Sequence, residues 1–188
     1  MKKISLVLWV CLVAVVALSA CSSQGESQTA GAGRDAAFEQ EIYDRLTAID
    51  PDAVPVFKEA TEASDAGDLE VAKRGYERVL ELAPDFPDAL RRLSYIELDL
   101  GNIDAALERA ERALAVDDSP HNHTALAYAL LATEESANEK AALTHAWTAV
   151  QRLPDDDYAN AVLLSAGAIN DDMRAVRQAT EKLLEVWP

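Results

Sequence analysis

The sequence predicts an all-α fold, a solenoid of stacked helix hairpins, and three observations support this prediction. Apolar residues make up 49% of the 188 residues but aromatic residues only 6%, which suits helices packed through small side chains better than a β-sandwich. From about Asp35 onward, apolar residues recur with helical spacing. Segments 66–85, 100–119 and 136–155 resemble one another at offsets of 34 and 36 residues, which indicates a repeat array.

Residues 1–20 have the features of a secretory signal: two lysines, a long apolar run and small residues before Cys21. The sequence Leu18-Ser19-Ala20-Cys21 resembles the lipobox of bacterial lipoproteins. The resemblance implies cleavage before Cys21 and acylation of this cysteine with palmitate-type chains. Ser22 stands where an aspartate would resemble the inner-membrane retention signal, so the outer membrane, facing the periplasm, is favoured. The alternative is an uncleaved membrane anchor in which Cys21 is incidental.

Residues 21–34 form the next predicted unit, the acylated cysteine and a flexible linker. Residues 22–34 are rich in Ser, Gly, Gln, Thr and Ala and contain no large apolar side chain. Such a segment cannot bury enough surface to fold. We therefore expect a tether between the lipid anchor and a folded domain over residues 35–188.

The repeats share a turn, a run of alanines and a closing proline. A glycine precedes an acidic or amide residue at Gly67-Asp68 and Gly101-Asn102, where a backbone bend is easier without a Cβ atom. The alanines that would let two helices cross closely are Ala72, Ala106 and Ala142, the aromatic residue is Tyr76, and the closing prolines are Pro84, Pro154 and Pro188.

This pattern resembles the tetratricopeptide repeat, a helix-turn-helix unit, and the resemblance implies a right-handed α-solenoid with a concave groove. We assign repeats to residues 53–86, 87–120, 123–156 and 157–188. In the last repeat, Val176 takes the alanine position and Thr180 the aromatic position at a 34-residue offset. The third and fourth repeats lack the turn glycine, and two extra residues are assigned to the connection 117–122.

Residues 35–52 extend the pattern upstream as a half-repeat helix that covers the first full repeat. Phe38, Ile42, Leu46 and Ile49 lie on one helical face, and Asp35 is a suitable N-cap. The alternative is an unrelated amphipathic helix that packs at the same place.

In the family, the first helix of each repeat lines the concave face, and this implies a candidate groove. Its predicted partner-binding residues are Phe57, Arg91, Arg92, Tyr95, Tyr128 and Tyr158. Such a groove would suit a peptide with apolar anchors and an acidic group. The alternative is that half of these aromatic residues belong to the core. The Lys and Asn clamp of chaperone-binding members is not reproduced, because Phe57 and Thr61 occupy its positions in the first repeat.

The last predicted helix, residues 172–187, has an apolar face wider than one packed helix needs. We therefore expect this end to dock a partner or a second copy of the chain, with Trp187 in the contact. The alternative is that Trp187 folds back on its own repeat.

Charge and motif content narrow the function. A formal net charge of −16 repels phosphate backbones, so nucleic-acid binding is not expected. No phosphate-binding loop or triad spacing is found, His121 and His123 face different directions on a helix, and Asp155-Asp156-Asp157 is better suited to capping a helix than to binding calcium. We expect no enzyme activity, no cofactor and no metal.

Together these features predict a lipid-anchored interaction scaffold or assembly factor of the bacterial cell envelope, which binds an envelope protein or peptide in its groove. Two alternatives stay open. One is a pilotin-like lipoprotein that assists secretin assembly, and the other is an accessory regulator of cell-wall enzymes.

Overall fold

The computed structural model describes residues 35–186. This part of the chain forms nine α-helices and no β-strand, as the sequence predicts. The predicted signal segment, Cys21, the predicted linker and Trp187 lie outside the described residues. The first helix, α1, spans Ala36–Ile49, and Asp35 caps it by accepting hydrogen bonds from the backbone N–H groups of Ala37 and Phe38, which confirms the predicted cap.

The other eight helices form four hairpins, each of which packs on its neighbour. They are α2 (Ala53–Asp65) with α3 (Leu69–Leu82), α4 (Pro87–Asp99) with α5 (Ile103–Val116), α6 (Pro120–Ala132) with α7 (Ser136–Arg152), and α8 (Asp157–Ile169) with α9 (Met173–Val186). No helix among residues 35–186 is both long enough and apolar enough to cross a membrane.

The hairpin turns explain which residues the sequence needs there. Gly67 and Gly101 have φ of +80° and +79°, a region that residues with a Cβ atom rarely adopt. The corresponding residues of the third and fourth hairpins are Glu134 and Asp171, whose φ angles are 55° and 56°. All four hairpins therefore use the same left-handed turn, and the last two make it without glycine.

Small residues lie at the helix crossings, as expected. Ala72, Ala106 and Ala142 are fully buried. Tyr76 is 1% exposed, and the residues that take its position in the next two repeats, Ala110 and Ala146, are fully buried. In the last repeat the buried pair is Ala175 and Ala179, both 0% exposed, whereas Val176 and Thr180 are only half-buried. The sequence alignment of this repeat is thus wrong by one residue, because the tight crossing selects the smaller side chain.

The extra length of the third repeat lies inside its hairpin and not in the preceding connection. Helix α7 has 17 residues, whereas the second helices of the other hairpins have 14. The third hairpin also starts at residue 120 and not at 123, because Ser119 accepts a hydrogen bond from the N–H of Asn122 and Pro120 occupies the first turn.

Candidate concave site

Helix α1 lies across the first helices of three successive hairpins. Its Arg45 donates to Asp88 on α4 (2.7 Å), and its Phe38 ring lies 4.5 Å from the His121 ring on α6. Ile42 and Leu46 are 0% exposed and join the core formed by α2, α3 and α4. A half-repeat helix stacked on the end of the array would touch only α2, so α1 instead covers part of the concave face.

Phe57 is a core residue, which corrects its predicted place in the groove. The side chain is 0% exposed, and its ring lies 5.4 Å from Tyr76 and 6.0 Å from Phe86 in edge-on geometry. Tyr43 of α1 covers it from the concave side with a ring separation of 6.2 Å. Phe57 therefore packs among Tyr76, Phe86 and α1 and is not available to a partner.

Arg91 and Arg92 are only 8% and 6% exposed, so the predicted basic spot is wrong. Arg91 donates to Asp88 at 2.8 Å. Arg92 donates to Thr61 at 2.8 Å, pairs with Glu39 of α1, and its guanidinium lies 4.7 Å from the ring centre of Phe57. Internal acids and α1 neutralise and cover both cations, so neither is available to an acidic ligand.

Tyr95, Tyr128 and Tyr158 come together in the structure, and we call these three side chains the tyrosine patch. They extend from α4, α6 and α8, and the ring centroids are 5.5 Å (Tyr95 to Tyr158), 5.8 Å (Tyr128 to Tyr158) and 6.3 Å (Tyr95 to Tyr128) apart. Tyr128 is 37% and Tyr158 41% exposed, while Tyr95 is half-buried. Three repeats thus contribute one aromatic surface beside the region that α1 covers.

The surroundings of the tyrosine patch raise the pKa of its hydroxyls. Burial raises the pKa of Tyr95 to about 12, Arg91 opposes this rise and Asp156 adds to it. Burial, together with the neighbouring tyrosines and the carboxylates of Asp99 and Asp156, raises the pKa of Tyr158 well above its usual value. Both effects disfavour tyrosinate.

The two histidines of the His121-Asn122-His123 sequence face different neighbours, as predicted. The His121 ring contacts Phe38 at an interplanar angle of 42°, whereas Nδ1 of His123 lies 2.8 Å from Nδ1 of His145 and its Nε2 lies 2.7 Å from Asp118. Residues 35–186 contain no group of three or more His, Cys, Asp or Glu side chains placed to hold a metal ion.

Asp156 is the cap predicted within the aspartate run. Its carboxylate accepts from the N–H of Ala159 at 2.6 Å.

Two buried asparagines were not predicted as structural residues. Asn122 and Asn160, each 1% exposed, stand near the starts of α6 and α8. The side-chain amide of Asn122 donates to the carbonyl of Asp117 (2.7 Å), and that of Asn160 donates to the carbonyl of Pro154 (2.9 Å). Each amide therefore joins a first helix to the end of the preceding repeat. The sequence feature that could have indicated this role is that both asparagines stand near the start of a predicted first helix.

Comparison with known proteins agrees with this architecture. The family model of the tetratricopeptide repeat matches residues 63–133. No curated protein sequence matches the chain. The match and the solved structures below support a tetratricopeptide-repeat protein, and the described chain has the all-α solenoid fold of such proteins.

Three solved structures illustrate the similarity. An O-GlcNAc transferase mutant of Thermobaculum terrenum is 29% identical with a TM-score of 0.57, and the match covers 65% of this chain but only 23% of that one. MamA of Desulfovibrio magneticus RS-1 is 18% identical with a TM-score of 0.59, covering 81% and 95% of the two chains. YrrB, a tetratricopeptide-repeat protein with an unusual peptide-binding site, is 21% identical with a TM-score of 0.57, covering 75% and 74%. The last two share the fold alone.

Proposed function

We propose that this chain is a lipid-anchored scaffold of the bacterial envelope that binds a segment of another protein on the tyrosine patch. A repeat solenoid offers a long surface and not an enclosed pocket, so binding is the function its shape suits. The observation that carries the proposal is that three successive first helices place Tyr95, Tyr128 and Tyr158 on one half-exposed surface. Exposed aromatic side chains held close together are typical anchors at interfaces.

The experiment for the binding role is site-specific photocrosslinking in native cells. A photoreactive residue replaces Tyr158 in one strain and Val71, a half-exposed residue of the second helix α3, in the control strain. We expect an identified envelope protein to be captured from position 158 and not from position 71. Capture of a secretin would support the pilotin-like alternative, and capture of a cell-wall enzyme the regulatory one. Equal capture from both positions would contradict the tyrosine patch as the binding surface.

The proposal of a lipid anchor rests on the Leu18-Ser19-Ala20-Cys21 sequence and on the polar segment that follows it. Several acyl chains stabilise membrane attachment by about 0.8 kcal/mol per buried methylene, which makes attachment effectively permanent. Replacement of Cys21 by Ser is expected to abolish fatty-acid labelling and to release or mislocalise the protein with its helix content unchanged. Cys21→Ser protein that still takes up label and stays on the membrane would refute the anchor.

Self-association through α9 is a further part of the proposal. Met173 and Leu184 are 68% and 61% exposed on this last helix, which is consistent with an apolar face that meets another molecule. Sedimentation of the Trp187→Asp and Leu184→Asp variants tests it. An oligomeric state identical to that of the parent in both variants would exclude this contact.

A further inference from the structure

The tyrosine patch has an acidic border. Asp99 ends α4 and is exposed, and its charge contributes to the raised pKa values of Tyr128 and Tyr158. Asp156 precedes α8 and acts in the same direction on Tyr95 and Tyr158. Each carboxylate is therefore close enough to act on two of the three tyrosines, and both act on Tyr158.

At Tyr95 the charge of Arg91 outweighs that of Asp156, but within residues 35–186 no cation acts on the pKa of Tyr128 or Tyr158 alongside Asp99. Arg91 is the positively charged group that acts on Tyr95, but it is 8% exposed and already bonded to Asp88, which also binds Arg45. Within residues 35–186, Asp99 has neither an ion pair nor a hydrogen bond that would offset its charge. The whole chain carries a formal charge of −16, so the long-range field also attracts cations.

The arrangement of the rings adds to this preference. Tyr158 meets both of its tyrosine partners at nearly right angles, 88° with Tyr95 and 81° with Tyr128. In this edge-to-face contact the rings touch each other, so a ligand can approach only their outer faces, and the face of an aromatic ring carries the negative end of its quadrupole. A guanidinium or ammonium group placed over such a face is attracted to it, and adjacent carboxylates strengthen the attraction.

From this arrangement we infer that the tyrosine patch binds a basic segment of a partner protein and places an Arg or Lys side chain over the exposed ring faces of Tyr128 and Tyr158, on the side of Asp99 and Asp156. The inference rests on the proposed function and specifies the chemistry of the partner. It reverses the sequence-based expectation of an acidic ligand, because the two arginines behind that expectation are buried and paired. An acidic segment would meet carboxylates at this surface, and neither arginine would be available to it.

The test uses the full-length chain in detergent with 3-fluorotyrosine incorporated and followed by ¹⁹F NMR. Tyr→Phe variants assign the five tyrosines, and Tyr76, 1% exposed in the core, is the internal control. The probes are three Gly/Ala peptides of identical length that carry two Arg, two Glu or two Leu at the same positions. We expect the Arg probe to shift the three patch resonances saturably without moving Tyr76, and the Glu probe to shift none.

Asp99→Asn and Tyr158→Leu separate charge from apolar contact, with Tyr158→Phe as the control. Asp99→Asn should weaken binding of the Arg probe about two- to fivefold, the range for an exposed ion pair. Tyr158→Leu keeps apolar area but removes a ring face, so it should weaken binding about fivefold or more, while Tyr158→Phe should keep most of it. Circular dichroism verifies that each variant is folded.

The outcomes distinguish this inference from the proposed function. A Leu probe that binds more tightly than the Arg probe, or Arg binding unchanged by Asp99→Asn and Tyr158→Leu, would overturn the basic-segment inference but leave the concave surface as a binding site. Failure of all three probes would also overturn the inference. Crosslinking from position 158 would then decide the proposed function independently.

Discussion

Replacement of Gly75 by Ala tests how closely the helices of the first hairpin approach each other. Gly75 lies in the middle of α3, and a Cβ atom added there would stand 2.6 Å from the Cβ and 3.2 Å from the Cα of Ala60 on α2. Carbon atoms in ordinary contact are about 3.5–4.0 Å apart. The two helices would have to separate by about 1 Å, since Ala60 has no flexible side chain that could move aside.

Two opposing terms set the magnitude. Ala is favoured over Gly in a helix interior by about 1 kcal/mol. Overpacking a tight core typically costs about 1–3 kcal/mol, and the backbone contact places this site at the upper end. The overpacking cost is therefore larger, and we expect the free energy of unfolding to fall by about 2 kcal/mol. For a folded unit of this size, that corresponds to a fall in Tm of about 4–8 °C.

The assay is urea and thermal unfolding followed by circular dichroism, arranged as a double-mutant cycle with Ala60→Gly. Because Ala60→Gly removes the Cβ that the new methyl group at position 75 would strike, the double variant should recover much of the loss. Gly67→Ala is the matched control: its added Cβ meets nothing within 4 Å, and its φ of +80° costs about 1–2 kcal/mol for backbone reasons that Ala60→Gly cannot relieve. A Gly75→Ala variant as stable as the parent, or a double variant no better than the sum, would refute the reasoning.

Three further predictions concern ionisation and turn strain. The pKa of Tyr95 is raised from 10.0 to about 12, so between these pH values the unfolded chain releases a proton that the folded chain keeps, and the free energy of unfolding should fall as pH rises. Tyr95→Phe should reduce this fall, and an unchanged pH dependence of the free energy of unfolding in urea would contradict the prediction. Burial, and then the charge of His123, lowers the pKa of His145 below 6.5 in the folded chain, so the unfolded chain binds the proton first and stability should fall as the pH drops below 6.5. His145→Asn should reduce this pH dependence, which is measured as Tm against pH. Glu134→Gly should raise the free energy of unfolding by up to about 1 kcal/mol because Glu134 has positive φ, and Asp171→Gly should raise it less because Asp tolerates positive φ better. If both variants were less stable than the parent, the turns would be unstrained.

The array itself could be predicted because its determinants are local. A glycine with positive φ, an alanine at a crossing and a proline after a helix each act within a few residues, so their spacing alone indicates hairpins. Gly67 and Gly101 confirm this at the turns. The predicted register of the last repeat is wrong because Ala175 and Val176 are adjacent and the helical period cannot tell them apart. The crossing with Gly167 decides between them, since a Cβ atom added at Gly167 would stand 2.7 Å from the Cβ of Ala175.

The concave surface could be predicted only in part, because its state depends on α1. Tyr95, Tyr128 and Tyr158 follow from the repeat pattern, since equivalent first helices face the same side. The burial of Arg92 does not follow from the repeat pattern, because its partner Glu39 is distant in sequence and lies on a helix outside the repeats. A signal existed: Glu39 shares a helix face with Ile42 and Leu46, and a charge on an apolar face indicates a buried partner.

The position of α1 also leads to a prediction about the preference of the groove for charge. With α1 docked, Arg91 and Arg92 are covered and the accessible part of the concave face is aromatic and acidic. Ile42 is 0% exposed on the docked face of α1, so Ile42→Asp would place a charge in the core, and α1 should leave the concave face because that burial costs more than the contacts it makes. Arg92 would then lose Glu39, and Asp88 would lose Arg45.

The expected result is that Ile42→Asp gains binding of the Glu-bearing probe at the uncovered arginines, while the parent chain binds only the Arg-bearing one. Glu41→Asp, a conservative change on the exposed face of α1, is the control and should leave the probe preference of the parent. The readout is the same ¹⁹F titration, with hydrogen exchange of residues 36–49 verifying that α1 has undocked. An undocked α1 without any gain in Glu-probe binding would mean that Asp88 and Thr61 alone suffice to occupy the arginines. The charge preference of the groove would then be set by its first helices, independently of α1.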